Sequence, residues 1–509
     1  MGDGPRGLRV AGLAADAGRL IRRLGGRAYR SSLVAHRLVS RALLARQDRR
    51  LRHLGRSSRT PSRIVVATDP ELPALAWVCR REGPLFDFTA GPGVETGTQG
   101  LFEGVWTGDF ARMDRMASCL HFGSGAVFGG RVLFVPPKHP LEHLYVFRDK
   151  RRDVDYVSNS LCFSLAAGGA VPGTRAFEQI APVVVERTHA ATARGVYRDD
   201  PMVAEDDTFA LLRVIHSNFF LEPGGRIRFS QPYLGRTFPR FEDYRRFLSE
   251  SLAALFANAT HPARRRPLPP LTTVSSGYDS PAVAALAREH GCRDAVTIAA
   301  RIGDAEDSGR EIAEQLGLRV REFPHVSGRH VAALPMRLEG RLAEQAREFV
   351  ATAGIGDDVT FLAFEPALAG RTLLTGAWGD SIWARLADVP PGLPVRTRFG
   401  KSLTEYRLRV GFAHVPVPFI GGLFPRSIVA ISQSAEMAAY SVGGAYDRPI
   451  PRRIAESAGV DRAAFGRLKV ATSPDPLNQA ALWRPAVEHV MTRYAGRIGS
   501  QTGQPLTRA

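Results

Sequence analysis

The sequence predicts a mixed α/β protein in which a β-rich α+β part precedes a C-terminal domain built on a parallel sheet. Short β-branched runs separated by Gly turns start at Arg63, and strand and helix patterns alternate after residue 270. Between them His261–Pro270 holds four prolines and three arginines, which rules out regular structure there. The 509 residues are 44% hydrophobic and 23% charged, so wholesale disorder is excluded.

Residues 1–60 form a basic arm. They contain fifteen arginines and three aspartates, and so carry +12 of the formal net charge of +18. Leucines recur among the arginines at roughly helical spacing, so we expect a partly helical segment. Two interpretations stay open: a helix that binds an anionic surface or an acidic partner, and a solvated extension or a helix docked on its own chain. The remainder is only mildly basic, so nucleic acid is not the expected partner.

Residues 61–200 are predicted to form the β-rich α+β domain, with a first strand at Arg63–Thr68. Residues 201–270 are expected to be a helical connection that ends in the Pro/Arg linker. Its clearest helical pattern runs over Tyr244–Phe256.

Residues 271–475 are predicted to form the parallel-sheet domain, followed by a C-terminal tail at 476–509. The predicted strands and helices alternate in the order Leu271–Val274, Pro281–Glu289, Asp294–Ala300, Ser308–Leu316 and Leu318–Phe323. Such alternation indicates parallel strands joined by helical crossovers. In sheets of this kind ligands bind beyond the carboxyl ends of the strands.

The strongest local signal is the serine-rich turn Ser275–Ser280, which lies between a predicted strand and a predicted helix. Hydroxyls, a glycine and backbone N–H groups at a helix N-terminus form a natural cradle for an anion. Asp279 would repel a phosphate unless Mg²⁺ bridged the carboxylate and the phosphate oxygens. Taken alone, an N-capped turn with a purely structural role explains the pattern equally well.

Five segments in order resemble the asparagine synthase family, which includes asparagine synthetases, β-lactam synthetases and lasso-peptide cyclases. The turn Ser275–Ser280 resembles the pyrophosphate loop Ser-Gly-Gly-x-Asp-Ser of ATP pyrophosphatases. The other matching segments are Thr297–Asp307, Thr372–Asp380, Val417–Ile420 and Arg467–Lys469. The resemblance implies a PP-loop domain of the adenine-nucleotide α-hydrolase type.

The resemblance also implies the chemistry, which is ATP-dependent activation of a carboxylate with release of pyrophosphate. Ammonia or an amine then attacks, which gives an amide and AMP. By residue-wise correspondence the implied ATP and pyrophosphate site is Thr273, Ser275, Gly277, Asp279, Ser280, Ala299 and Gly376. Asp279 and Asp380 would hold Mg²⁺, and Lys469 would be the catalytic cation that stabilises developing negative charge.

Three positions depart from the family pattern. Ser276 replaces a glycine of the loop, and Gly421 replaces an aspartate. Ala377 stands where the family has a Glu or Tyr that helps to deprotonate the amine, and alanine cannot accept a proton. The downstream candidates for that role are His414, Glu405 and Tyr406.

The N-terminal half resembles a glutaminase-like, degenerate Ntn-hydrolase scaffold that lacks the catalytic cysteine, since position 2 is Gly2 and the first cysteine is Cys79. We therefore expect ammonia or an amine donor as the nitrogen source, and a small-molecule or peptide carboxylate as its partner substrate. Scattered cysteines and the lack of a long apolar stretch favour a cytoplasmic location. Homodimer formation stays open.

Two other function classes stay open at the level of sequence. One is a tRNA-modifying ATP pyrophosphatase, which the basic arm would suit. The other is a non-catalytic nucleotide-binding scaffold, which Ala377 and Ser276 would permit.

Overall fold

The chain divides into two compact units, residues 1–57 and 58–509, and every residue that the structure describes belongs to the second. The computed structural model describes residues 62–113, 120–193, 202–230, 236–299, 301–302, 305–324, 341–352, 358–385, 403–444, 446–466 and 479–498. The basic arm and the Arg467–Lys469 segment lie outside these residues, so the expectations for them stay predictions.

Thirteen described strands precede the Pro/Arg linker. They are β1 Arg63–Thr68, β2 Trp77–Glu82, β3 Leu85–Ala90, β4 Glu95–Gly97, β5 Gly100–Trp106, β6 His121–Phe128, β7 Val132–Val135, β8 Leu144–Asp149, β9 Val154–Ser158, β10 Met202–Glu205, β11 Phe209–Val214, β12 Phe219–Leu221 and β13 Ile227–Phe229. One sheet has seven strands in the order β1-β3-β2-β9-β8-β11-β10, and the other has six in the order β13-β12-β7-β6-β5-β4.

Seven described strands follow the thirteenth. They are β14 Pro270–Thr273, β15 Asp294–Ala299, β16 Arg301–Ile302, β17 Ala305–Glu306, β18 Arg319–Pro324, β19 Thr372–Thr375 and β20 Ala413–Pro416. The described α-helices are α1 Leu161–Ala167, α2 Arg175–Ala193, α3 Phe241–Ala259, α4 Asp279–Glu289, α5 Arg310–Gln315, α6 Arg341–Ala351, α7 Glu365–Leu368, α8 Gly379–Ile382, α9 Leu403–Val410, α10 Arg426–Gln433, α11 Pro449–Ser457 and α12 Gln479–Ile498. None of these helices is long and apolar enough to cross a membrane.

The two N-terminal sheets face each other across an apolar core. Alternate residues of β2 point to opposite sides, so Cys79 faces this core while Val78 faces the helices on the far side of the seven-stranded sheet. Trp77 and Phe134 come from different sheets and stack in the core with ring centroids 6.4 Å apart. The side chain of Cys79 is fully buried, which raises the pKa of its thiol well above the ordinary value.

Two segments differ from their sequence-based description. Residues 202–229, expected within a helical connection, contain β10 to β13. These short strands form two local pairs, β10 with β11 and β12 with β13, which join the two sheets through β8 and β7. Residues 476–509, expected to be a tail, contain α12, which packs with α1 and α2 on the seven-stranded sheet. Trp483 of α12 is buried and stacks on Phe177 of α2 at 5.6 Å.

The C-terminal sheet confirms the predicted parallel arrangement. Its five strands run β18-β15-β14-β19-β20, and every neighbouring pair is parallel. Both faces are covered, as expected for a parallel sheet. On β19, Leu373 faces a core with α6 and α9, whereas Leu374 faces a core with α3, α4 and α11. That second core also contains Val105 and Phe122 of the six-stranded sheet, so the two halves share one interior.

Candidate functional site

Strand order defines where the parallel sheet can bind a ligand. From β14 the chain moves outward through β15 to β18, and then returns to the other side of β14 at β19. The order therefore reverses between β14 and β19, and a crevice opens at such a point beyond the carboxyl ends of the strands. The turns that follow these two strands are Ser275–Ser280 and Gly376–Asp380, which belong to two of the five segments that the sequence singled out.

The serine-rich turn is closed by its own hydroxyls. The Ser275 amide donates to Ser280 Oγ at 3.0 Å, and the two hydroxyl oxygens lie 2.8 Å apart. The Gly277 amide faces Ser275 Oγ at 3.4 Å. These contacts hold the turn at the start of α4, so that three of the predicted binding residues form one compact group.

The turn after β15 clamps the serine-rich turn from the side. Asp307 Oδ1 accepts from the Ser276 amide at 3.1 Å and from the Ser276 hydroxyl, while Ser308 forms a β-bridge with Ser275. A Cβ on Gly309 would come within 2.7 Å of the Ser275 nitrogen, so glycine is required for this approach. Asp307 is thus a structural support of the turn, a role that its place in the sequence did not reveal.

Ser276 fits its position without backbone strain. The non-glycine residues with positive φ in the described part of the chain are Asp153, His216 and Trp378, and Ser276 is not among them. A serine therefore adopts this backbone conformation without strain, although the family that the loop resembles has glycine at this position. Gly421, the other backbone departure, adopts φ 76°, a conformation that favours glycine.

The second turn lies directly against Asp279. A Cβ on Gly376 would be 2.7 Å from Asp279 Cβ, and one on Gly379 would be 2.3 Å from Asp279 Cγ and 2.5 Å from Oδ1. Both glycines are therefore needed for the two turns to meet. Between them Trp378 has φ 66°, an unusual conformation for a bulky residue and typical of functional turns.

The two predicted metal ligands differ in exposure. Asp279, the first residue of α4, is half-buried, and Asp380, in α8, is exposed beside Gly379. The described residues contain no cluster of three or more His, Cys, Asp or Glu side chains arranged around a metal. The residue types fit Mg²⁺, since Asp279 lies against Gly379, the neighbour of Asp380, and this ion is usually bound by one or two carboxylates together with substrate phosphates.

Three residues of the implied ATP site lie at the same edge of the sheet. Thr273 ends β14, Ala299 ends β15 and is exposed, and Gly376 follows β19 directly. The Thr273 hydroxyl faces the Leu374 carbonyl at 3.5 Å. The structure therefore places Thr273, Ala299 and Gly376 at one edge of the sheet, while Lys469 lies outside the described residues.

One side chain at the turn was missed by the sequence reasoning. The Tyr446 hydroxyl lies 3.5 Å from the position of a Cβ on Gly277, and its ring packs on Tyr278 with centroids 4.8 Å apart. Burial, followed by the nearby Asp279 carboxylate, raises the pKa of Tyr446 to about 12, so its hydroxyl is protonated at neutral pH. No motif surrounds Tyr446, so nothing in the sequence pointed to it.

The three candidates for the proton acceptor, His414, Glu405 and Tyr406, have different hydrogen-bond partners. His414 Nε2 lies 2.8 Å from Thr375 Oγ1, and that oxygen also faces the Ala377 amide at 3.4 Å. Glu405 instead accepts from Ser160 Oγ at 2.7 Å, and the Tyr406 hydroxyl donates to the Phe361 carbonyl at 3.1 Å. Only His414, among these three, has a hydrogen-bonded connection to the turn of Ala377.

Comparison with known proteins gives no assignment. No protein-family model matches the chain, and no curated protein is significantly similar to it.

Proposed function

We propose that this chain is an ATP-dependent, AMP-forming amide ligase with a PP-loop domain in residues 271–475. The observation that carries the proposal is the meeting of two turns at the point where the strand order reverses. There Asp279 lies against Gly376 and Gly379, so the hydroxyl-lined turn meets the turn that carries Asp380.

Each residue of this crevice has a part in the proposal. Ser275, Gly277 and Ser280 bind the pyrophosphate at the N-terminus of α4, where backbone amides and the helix dipole favour negative charge. Asp279 and Asp380 hold Mg²⁺, which supplies charge neutralisation to the phosphates. Thr273, Ala299 and Gly376 line the edge of the sheet on which the adenosine lies.

Lys469 completes the site as the cation beside the phosphates. The support for this role is a contact at its near neighbour in sequence, since the Gly466 amide donates to the Ser276 carbonyl at 2.7 Å. The described chain therefore contacts the serine-rich turn at Gly466, which is three residues before Lys469 in the sequence.

The proposed reaction joins a small-molecule or peptide carboxylate to ammonia or an amine. Adenylation turns the carboxylate into a good acyl donor, and attack by the nitrogen then releases AMP. The amine must lose a proton in the second step, and His414 with Thr375 is the polar pair connected to the turn of Ala377. The N-terminal half is proposed as a glutaminase-like scaffold without glutaminase chemistry. Its two stacked sheets with outer helices support that assignment.

Exchange of labelled pyrophosphate into ATP, measured over a panel of carboxylates, tests the proposal. We expect carboxylate-dependent exchange by the wild type and its loss in Asp279→Asn, which keeps the side-chain shape that Gly376 and Gly379 enclose. The matched control is Asp109→Asn, an exposed aspartate of the N-terminal half. ATP binding without exchange for any carboxylate would favour the scaffold, and exchange that requires tRNA would favour the tRNA-modifying class.

A further inference from the structure

Residues 441–443 are held by one buried carboxylate, that of Asp447, which directly follows Tyr446. The Asp447 carboxylate accepts a hydrogen bond from the Ser441 hydroxyl. It also accepts hydrogen bonds from the amides of Val442 and Gly443, both at 3.2 Å. The Arg385 guanidinium lies 3.7 Å from the same carboxylate. Asp447 is fixed by these bonds, and so is the backbone position of Tyr446 next to it.

The side chain of Tyr446 is wedged so that its hydroxyl faces the turn. Its ring packs against Tyr278 on one side, and the Arg448 guanidinium lies 5.4 Å from its centroid. Tyr278 is itself held, because Arg452 Nη2 donates to its hydroxyl at 2.8 Å. A Cβ on Gly466 would come within 2.3 Å of the Tyr278 ring, so the packing there is tight. The direction of the Tyr446 hydroxyl is therefore set by packed neighbours.

The hydrogen-bonding capacity of Tyr446 matches an anion on this turn. The phenol oxygen of Tyr446 lies 3.5 Å from the position of a Cβ on Gly277, and the Tyr446 ring packs on Tyr278, the N-cap residue of α4. A tyrosine hydroxyl has one donor proton besides its acceptor sites. Because the hydroxyl lies beside Gly277, this proton can be donated to an anion bound on the turn. Tyr446 thereby extends the donor set of the helix N-terminus further out over the cradle.

We propose that Tyr446 is a binding residue for the pyrophosphate portion of a nucleoside triphosphate, to which its hydroxyl donates a hydrogen bond above the Ser275–Ser280 turn. The inference rests on the proposed function and adds to it a source of selectivity. A donor placed over Gly277 contacts the pyrophosphate portion, which AMP lacks, so Tyr446 favours a triphosphate over a monophosphate at this site.

Equilibrium binding of Mg²⁺–pyrophosphate, Mg²⁺–ATP and AMP to the full chain tests this inference with Tyr446→Phe, which removes the hydroxyl and keeps the ring. We expect about tenfold weaker binding of pyrophosphate and ATP, as for one hydrogen bond to a charged group, with unchanged AMP binding. In turnover, the KM for ATP should rise with little change in kcat. Tyr440→Phe is the matched control, since Tyr440 is half-buried and packs under Arg453.

Two results with Tyr446→Phe would overturn this inference and leave the proposed function standing. Unchanged pyrophosphate binding would show that the hydroxyl makes no contact with the ligand, and tighter binding would show that it obstructs the cradle. A wild-type chain that binds neither pyrophosphate nor ATP would overturn the proposed function, and this inference with it.

Discussion

At the scale of single residues, two glycines determine how closely the turn after β19 approaches Asp279. The position of a Cβ on Gly379 is 2.5 Å from Asp279 Oδ1, a separation that real atoms do not tolerate. We predict that Gly379→Ala lowers the free energy of unfolding by about 1–3 kcal/mol, as overpacking does elsewhere, and abolishes pyrophosphate exchange. Urea denaturation and the exchange assay measure both effects.

The control for this prediction is Gly97→Ala. Gly97 has negative φ and open space around its Cβ position, so its substitution should leave stability and exchange nearly unchanged. Equal effects of the two substitutions would mean that the contact with Asp279 is not the cause.

A second prediction at the scale of residues concerns how the protonation of Glu405 changes the free energy of unfolding with pH. Burial raises the pKa of Glu405 from 4.5 to about 7 in the folded chain. The folded state then binds the proton more tightly than the unfolded state, so this stabilisation is complete below pH 4.5 and is lost as the pH rises through 7. The stability of the wild type relative to Glu405→Gln should therefore fall by about 3 kcal/mol between these limits.

Urea denaturation of the two proteins at pH 4.5, 6 and 8 measures this difference. Glu488→Gln, at an exposed position of α12, is the control and should show no such trend. A stability difference that stays constant over this range would contradict the assigned environment of Glu405.

Local sequence made some residues of the site predictable and hid others. Ser275 and Asp279 stood out because a serine-rich turn between a strand and a helix has a known physical use. Tyr446 lies more than 160 residues further along the chain, so its contact with Gly277 depends on the tertiary fold. Asp307 was visible only as part of an acidic turn, and its bond to Ser276 arises from the packing of two adjacent strand ends.

At the scale of elements, α12 shows how a terminal helix completes a sheet. Trp483 is 1% exposed, stacks on Phe177, and donates to the Ala351 carbonyl at 3.1 Å. We predict that Trp483→Ala lowers the free energy of unfolding by about 3–5 kcal/mol, the cost of removing a large buried aromatic side chain. Urea denaturation followed by far-UV circular dichroism measures the loss.

The adjacent Arg484 provides the control on the same helix. Its ion pair with Glu178 is exposed, so Arg484→Ala should cost less than about 1 kcal/mol. Similar losses for the two substitutions would argue against a buried role for α12.

Three of the five strands of the parallel sheet, and the two helices between them, were predicted to within about two residues because each has its own hydrophobic pattern. The predicted strand Asp294–Ala300, for example, is observed as Asp294–Ala299. The strands β12 and β13 are three residues long, too short to carry a pattern, and they exist through pairing with each other and with β7.

At the scale of the whole molecule, a buried ionic group joins the two halves. Arg407 of α9 is 1% exposed on its side chain, and bonds to Glu103 of β5 at 2.7 Å and to Glu142 at 2.8 Å. We predict that Arg407→Met lowers the free energy of unfolding by about 3–5 kcal/mol, because it leaves two buried carboxyl groups without their cation. The measurement is urea denaturation at pH 8.

Arg319→Met is the control, because Arg319 pairs with Asp294 at the surface with 79% of its side chain exposed. It should cost less than about 1 kcal/mol. If Arg407→Met lowers the free energy of unfolding no more than this control does, the two halves are not held together through Arg407.

The most direct test of the central claim is the identity of the products formed from ATP, followed by ³¹P NMR in the presence of a carboxylate and an amine. We expect AMP and pyrophosphate in amounts equal to the amide formed, and neither product from Asp279→Asn. Formation of ADP and orthophosphate, or equal turnover by the wild type and Asp279→Asn, would contradict the assignment of the Ser275–Ser280 turn as a pyrophosphate site.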